Sequence, residues 1–150
     1  MTFGEQFARG HGQPIQIDGH TVQMIYRREA HRGLTLRVRW VRRVDAPVQG
    51  ISVSIKGGTL QVADSRAKDV VLWADTAPDE VILRCDGRNV REISLWNCWR
   101  DGRHVTQAWV GNAGMMVEER DAGALRFHCN SRPEVTFEDL VFDVEFEEPK

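Results

Sequence analysis

Hydrophobic residues recur along this chain at every second position far more often than at helical spacing. Leu34, Leu36, Val38 and Trp40 alternate with Thr35, Arg37, Arg39 and Val41, the period-two pattern of a strand with one buried face. Ile51, Val53 and Ile55 alternate with Ser52 and Ser54, and Gly57-Gly58 then predicts a hairpin turn into residues 59–63. Leu140, Phe142, Val144 and Phe146 alternate with Val141, Asp143, Glu145 and Glu147, which predicts a long last strand. Asp18-Gly19 predicts an earlier hairpin between 14–17 and 21–27. Further strands are expected over 70–73, 80–85, 91–99, 105–110, 115–118 and 124–129. Turn residues punctuate most gaps: Ala77-Pro78-Asp79, Asp86-Gly87, Asp101-Gly102 and Ala122-Gly123.

One segment departs from alternation. Thr2 and Glu5 have capping-box spacing and Gly10 supplies a stop, so a short helix is predicted over 2–9. About ten short strands with glycine-rich turns, and no repeat or linker, predict one all-β domain over residues 1–150. The expected architecture is an antiparallel β-sandwich or jelly roll.

A chain of 150 residues can bury a core without disulfide staples. The three cysteines, Cys85, Cys98 and Cys129, are odd in number and far apart, and each reads as a small buried hydrophobe. No apolar run approaches the ~20 residues of a membrane span. The first residues lack the basic-then-apolar pattern of a secretory leader. These features predict a cytoplasmic protein that makes no membrane contact.

The net charge of −2 hides an asymmetry. Residues 1–75 carry 11 basic and 7 acidic side chains, whereas residues 76–150 carry 9 and 15. Arg37, Arg39 and Arg43 sit in the basic part, and a phosphate backbone could track such a stripe. The negative net charge and a pI of about 6.2 argue against nucleic acid. The favoured expectation is a cross-strand ladder from Arg37, Arg39 and Arg43 to Asp143, Glu145 and Glu147 of the acidic tail. The same segregation would also serve a protein partner or a second copy of the chain.

Candidate chemistry concentrates in Trp96-Asn97-Cys98-Trp99-Arg100-Asp101-Gly102-Arg103-His104, running on through Gln107, Trp109 and Asn112. An Asp101-Gly102 turn would bring Trp109 beside the tryptophans of the preceding strand. Cross-strand packing is one sufficient reason for these rings. Aromatic faces beside amides and guanidinium groups also suit a sugar ring, or a nucleobase with its phosphate. The leading expectation is therefore a non-enzymatic binding module for a small polar ligand, carbohydrate-like or nucleotide-like. Its face would comprise Trp96, Arg100, Arg103, Gln107, Trp109 and Asn112. The first alternative is a structural or protein-interaction subunit assembling through the charged strands.

A second alternative is a small hydrolase or isomerase with His104 as general base beside Asp101 and Glu118. No GxSxG, P-loop, GxGxxG, HExxH or CxxC spacing occurs, so no cofactor and no metal is expected.

Overall fold

In the computed structural model of the chain, which describes residues 1–102 and 105–149, the alternating segments become antiparallel strands. A first helix, α1 (Phe3–Arg9), precedes the short strands β1 (Ile15–Ile17), β2 (His20–Val22) and β3 (Tyr26–Glu29). Then come β4 (Thr35–Arg43), β5 (Val48–Lys56), β6 (Thr59–Val62), β7 (Ser65–Ala67), β8 (Asp69–Trp73) and β9 (Glu80–Asp86). The chain continues through β10 (Glu92–Arg100), β11 (Thr106–Gln107), β12 (Gly114–Glu119), β13 (Ala124–Asn130) and β14 (Leu140–Glu147). Ten of these strands have four or more residues; β1, β2, β7 and β11 are shorter. No described helix is long and apolar enough to cross a membrane.

Two sheets pack face to face. One has the order β12-β13-β14-β4-β9-β6-β7, and the other runs β8-β5-β10 with β3 and β11 sharing the far edge of β10. Leu36, Val38, Leu83, Phe142 and Val144 from the first meet Ile51, Val53, Leu72, Ile93 and Leu95 from the second, all buried. Each such side chain contributes about 1.5–3 kcal/mol on leaving water, so the sandwich follows directly from the alternation. The β1–β2 hairpin at Asp18-Gly19 forms as expected.

Gly57-Gly58 does something other than the predicted hairpin turn. It carries the chain from β5 in one sheet to β6 in the other. The glycines are needed there because another backbone crosses them. A Cβ on Gly57, whose φ is 86°, would stand 1.7 Å from the Asn89 carbonyl oxygen, and one on Gly58 would stand 2.3 Å from that of Asp86.

A smaller core lies where α1 docks. Both arms of the capping box are made, with Glu5 N–H donating to Thr2 Oγ1 (3.2 Å) and Thr2 N–H to Glu5 Oε1 (3.3 Å). Phe3 and Phe7 bury themselves against Val22 and Phe137, and Phe3 stacks on Phe137 with centroids 5.8 Å apart. Gln23 and Met115 exchange two backbone hydrogen bonds, 2.8 and 2.9 Å, tying the edge of β12 to the segment that leads into β3.

The β13–β14 connection is organised by two polar side chains buried at its base. Asn130 accepts from the Thr136 and Phe137 amides and donates to the Asn112 and Arg132 carbonyls. Asp139, fully buried, accepts from the Ser131 and Arg132 amides at 2.8 and 3.0 Å and from Arg132 Nε at 2.8 Å.

Candidate functional site

Strand β10 turns Ile93, Leu95, Asn97 and Trp99 inward, all buried, and sends Ser94, Trp96 and Arg100 to the opposite face. Asn97 Nδ2 donates to the Asn130 carbonyl at 3.0 Å, so this amide belongs to the interior. Trp96 lies opposite Ser52 of β5, whose small side chain leaves the indole half-exposed. Trp109 covers it: the two ring centroids are 5.0 Å apart and the planes are tilted by 39°.

Trp109 remains 38% exposed and has a φ of 62°. For a bulky side chain that left-handed backbone costs about 1–2 kcal/mol and requires outside support. The support comes from α1. Gly4 N–H donates to the Gly111 carbonyl at 2.8 Å, and Phe3 N–H to Asn112 Oδ1 at 3.2 Å. Asn112 Nδ2 in turn donates to the Pro133 carbonyl at 2.8 Å. A side chain on Gly4 would stand 3.2 Å from the Trp109 carbonyl oxygen, so glycine permits the close approach.

The six residues expected to form one ligand face do not all converge. Trp96 and Trp109 meet. Gln107, on β11, donates to Asp101 Oδ2 at 3.3 Å. Arg100 turns toward β8, bonding both oxygens of Asp75 at 3.0 and 2.8 Å with its guanidinium 4.6 Å from the Trp73 ring centre. Asn112 is committed to the helix and to the β13–β14 loop. Arg103 and His104 lie outside the described residues, and with His104 goes the centre of the expected catalytic trio. The other two members, Asp101 and Glu118, belong to segments of different sheets. Glu118 bonds His128 Nε2 at 2.9 Å, an interaction that, with Arg120, holds its carboxyl below the usual range against the opposing effect of burial.

What the structure adds is a groove of about 480 Å³ between α1, the segment before β3, and Trp109. Phe7 and Met24 supply apolar wall; His11, Gln13 and Arg27 supply polar groups; Trp109 stands at the rim. No carboxylate is among the described residues lining it. Sequence reasoning missed this N-terminal half of the site, since nothing local links residues 4–27 to residue 109. The one available signal was the pair of small residues Gly4 and Ala8, one helical turn apart on α1, both of which line the groove.

The charged strands pair among themselves. Arg37 bonds Glu80 and reaches Glu147 at 3.1 Å and Glu145 at 3.9 Å, and Arg39 Nε donates to Glu80 Oε2 at 2.7 Å. Asp143, opposite Arg39 in the register, is instead held by Arg126 through bonds of 2.7 and 3.0 Å. Arg43 leaves the stripe altogether. The register shifts between Val141 and Phe142 so that Val41 has no counterpart, and the Arg43 guanidinium donates to the Ala74 carbonyl.

On the open side of the sandwich β8 ends its sheet. A second groove of about 470 Å³ runs there between β8 and β9, with Val71 40% and Ile82 46% exposed.

The three thiols are buried, and burial raises the pKa of each, that of Cys85 to about 11. No group of three or more metal-ligating side chains occurs among the described residues. Comparison with models of known protein families, with curated proteins and with solved structures returns no match.

Proposed function

We propose that this chain is a non-enzymatic binding module for a small polar ligand, carbohydrate-like or nucleotide-like, received in the groove beside Trp109. The observation that carries the reading is Trp109 itself, an exposed indole held in a strained backbone at the rim of that groove and backed by a second indole. A tryptophan serving only the core would turn inward, where its burial stabilises most. Strain maintained by surrounding structure at an exposed aromatic is a common mark of a ligand contact. The ring of the ligand would lie on the open part of Trp109, while Gln13, His11 and Arg27 bond its polar edge.

The pairing of Arg37 and Arg39 with Glu80, Glu145 and Glu147 inside the chain supports the ligand reading over assembly through the charged strands. Three buried free thiols would suit a reducing compartment, which supports the reading of a cytoplasmic protein. The test is a titration of intrinsic fluorescence and thermal shift against a panel of sugars and nucleotides. A saturable change that Trp109→Ala removes without unfolding the protein is expected. Silence across the panel would overturn the reading.

A further inference from the structure

We infer that the groove beside Trp109 selects a planar ring bearing an anionic group, the chemistry of a nucleoside monophosphate, with Arg27 as the anion-binding residue. The inference rests on the reading of that groove as a ligand site and chooses between the two ligand classes left open there.

The first ground is the balance of donors and acceptors. A sugar presents hydroxyl groups that donate as well as accept, so its sites supply carboxylates to take those protons. This groove supplies none among its described lining residues. Its polar side chains are a guanidinium, an imidazole and an amide, a set dominated by donors. Donors facing a cavity without a carboxylate favour a ligand that only accepts, which is what a phosphate or carboxylate group does.

The second ground is the contrast between two adjacent arginines. Arg28 is committed: its guanidinium lies 4.3 Å from the Phe146 ring centre and reaches Glu148 at 3.4 Å. Arg27 has a looser tie. Its Nε is 3.6 Å from Glu92 Oε1, an ion-pair distance beyond hydrogen bonding, and its side chain is 56% exposed. With five donors on the guanidinium, it retains the fork that bidentate recognition of an anion uses. Strand alternation places it opposite Ser94 on the face that also carries Trp96, so the cation and the stacked indoles share one side of the sheet.

The third ground is shape. The groove falls within the roughly 300–1,000 Å³ of small-molecule sites. Its apolar wall, formed by Trp109 and Met24, gives a planar ring a face on which to stack.

The experiment is calorimetric titration of the full chain with adenosine 5′-monophosphate, adenosine, inorganic phosphate, indole-3-acetate and maltose. The monophosphate should bind about tenfold tighter than adenosine, the value of one good charge-assisted contact. That margin should shrink as salt rises while adenosine binding holds steady. Arg27→Gln should remove the margin by which the monophosphate binds tighter than adenosine. Trp109→Ala should weaken both by about 5- to 150-fold.

The double variant Arg27→Gln/Glu92→Gln removes the carboxylate that the single variant leaves unpaired, and should show the same loss of discrimination in a protein of restored stability. Comparing the monophosphate with indole-3-acetate tells a phosphate from a carboxylate as the preferred anion. Equal binding of adenosine and its monophosphate, a preference for maltose, or an unaltered margin in both Arg27 variants overturns this inference while leaving a binding groove in place. Silence in every arm brings down the groove reading as well.

Discussion

The indole of Trp109 rests on that of Trp96, centroids 5.0 Å apart, although the backbone at Trp109 is left-handed with φ 62°. Two opposing effects therefore meet at one residue. The aromatic pair contributes about 0.5–1.5 kcal/mol, and the backbone costs about 1–2 kcal/mol. Alanine would lose the pair and keep the strain, whereas glycine would lose both. Trp109→Gly is expected to be about 1 kcal/mol more stable than Trp109→Ala, measured by urea denaturation. Equal midpoints would mean that nothing holds residue 109 in the left-handed region.

Asp139 is the buried charge on which the β13–β14 loop depends. Burial pushes its pKa up, and the Ser131 and Arg132 amides with the Arg132 guanidinium outweigh this, leaving it below the usual 3.8. A carboxyl whose folded pKa is depressed stabilises the fold fully above the unfolded value, about 3.9, and loses that effect as pH falls through the folded one. Asp139→Asn should cost about 2–4 kcal/mol at pH 7. The difference from the parent should narrow below about pH 4, as denaturation midpoints across the acid range would record.

Glu80 bridges Arg37 and Arg39, and the Arg39 hydrogen bond is the main cause of its lowered pKa. Because the groups face solvent, the effect is modest and screened. Glu80→Gln should lower the Tm at low ionic strength, with the difference fading at about 1 M salt. By the same sign rule it should fade as acid protonates the parent carboxyl. A difference in Tm that ignores both salt and acid would show that Glu80 acts through packing.

The thiols give a probe of the core. Burial raises the pKa of Cys85 to about 11 and that of Cys98 and Cys129 above the ordinary value. Thiolate is the reactive form, so alkylation of the native protein at neutral pH should be negligible and should reach all three cysteines in denaturant. Rapid modification of any of them in the folded state would contradict the packing of the two sheets.

Local patterns carried much of the fold. Period-two alternation located β4, β5 and β14 and the side of each that enters the core, and the Thr2–Glu5 spacing located α1. Partners were another matter. Gly57-Gly58 has the residues of a hairpin turn, and only the backbone of residues 86–90 crossing over it explains why the chain changes sheets there. Arg37 and Glu145 do meet, yet Glu80 from β9 completes the pairing, and no spacing along the chain announces it.

The site divides the same way. Proximity of Trp96 and Trp109 followed from a turn between them, whereas Arg27 reaches the groove through the pairing of β3 with β10. Asn112 shows the limit of composition: its amide has a ligand's chemistry and holds a helix instead.

That helix has a thermodynamic role beyond packing. Its first turn anchors the Trp109 loop, and its side forms one wall of the groove. A ligand in the groove can bind well only while the helix is docked, so occupancy and helix undocking compete for the same molecules. By reciprocity, a ligand saturating the groove would slow amide exchange and proteolytic cleavage across residues 3–9 by the factor by which undocking weakens its binding. Protection of α1 would thereby report on a ligand in the groove.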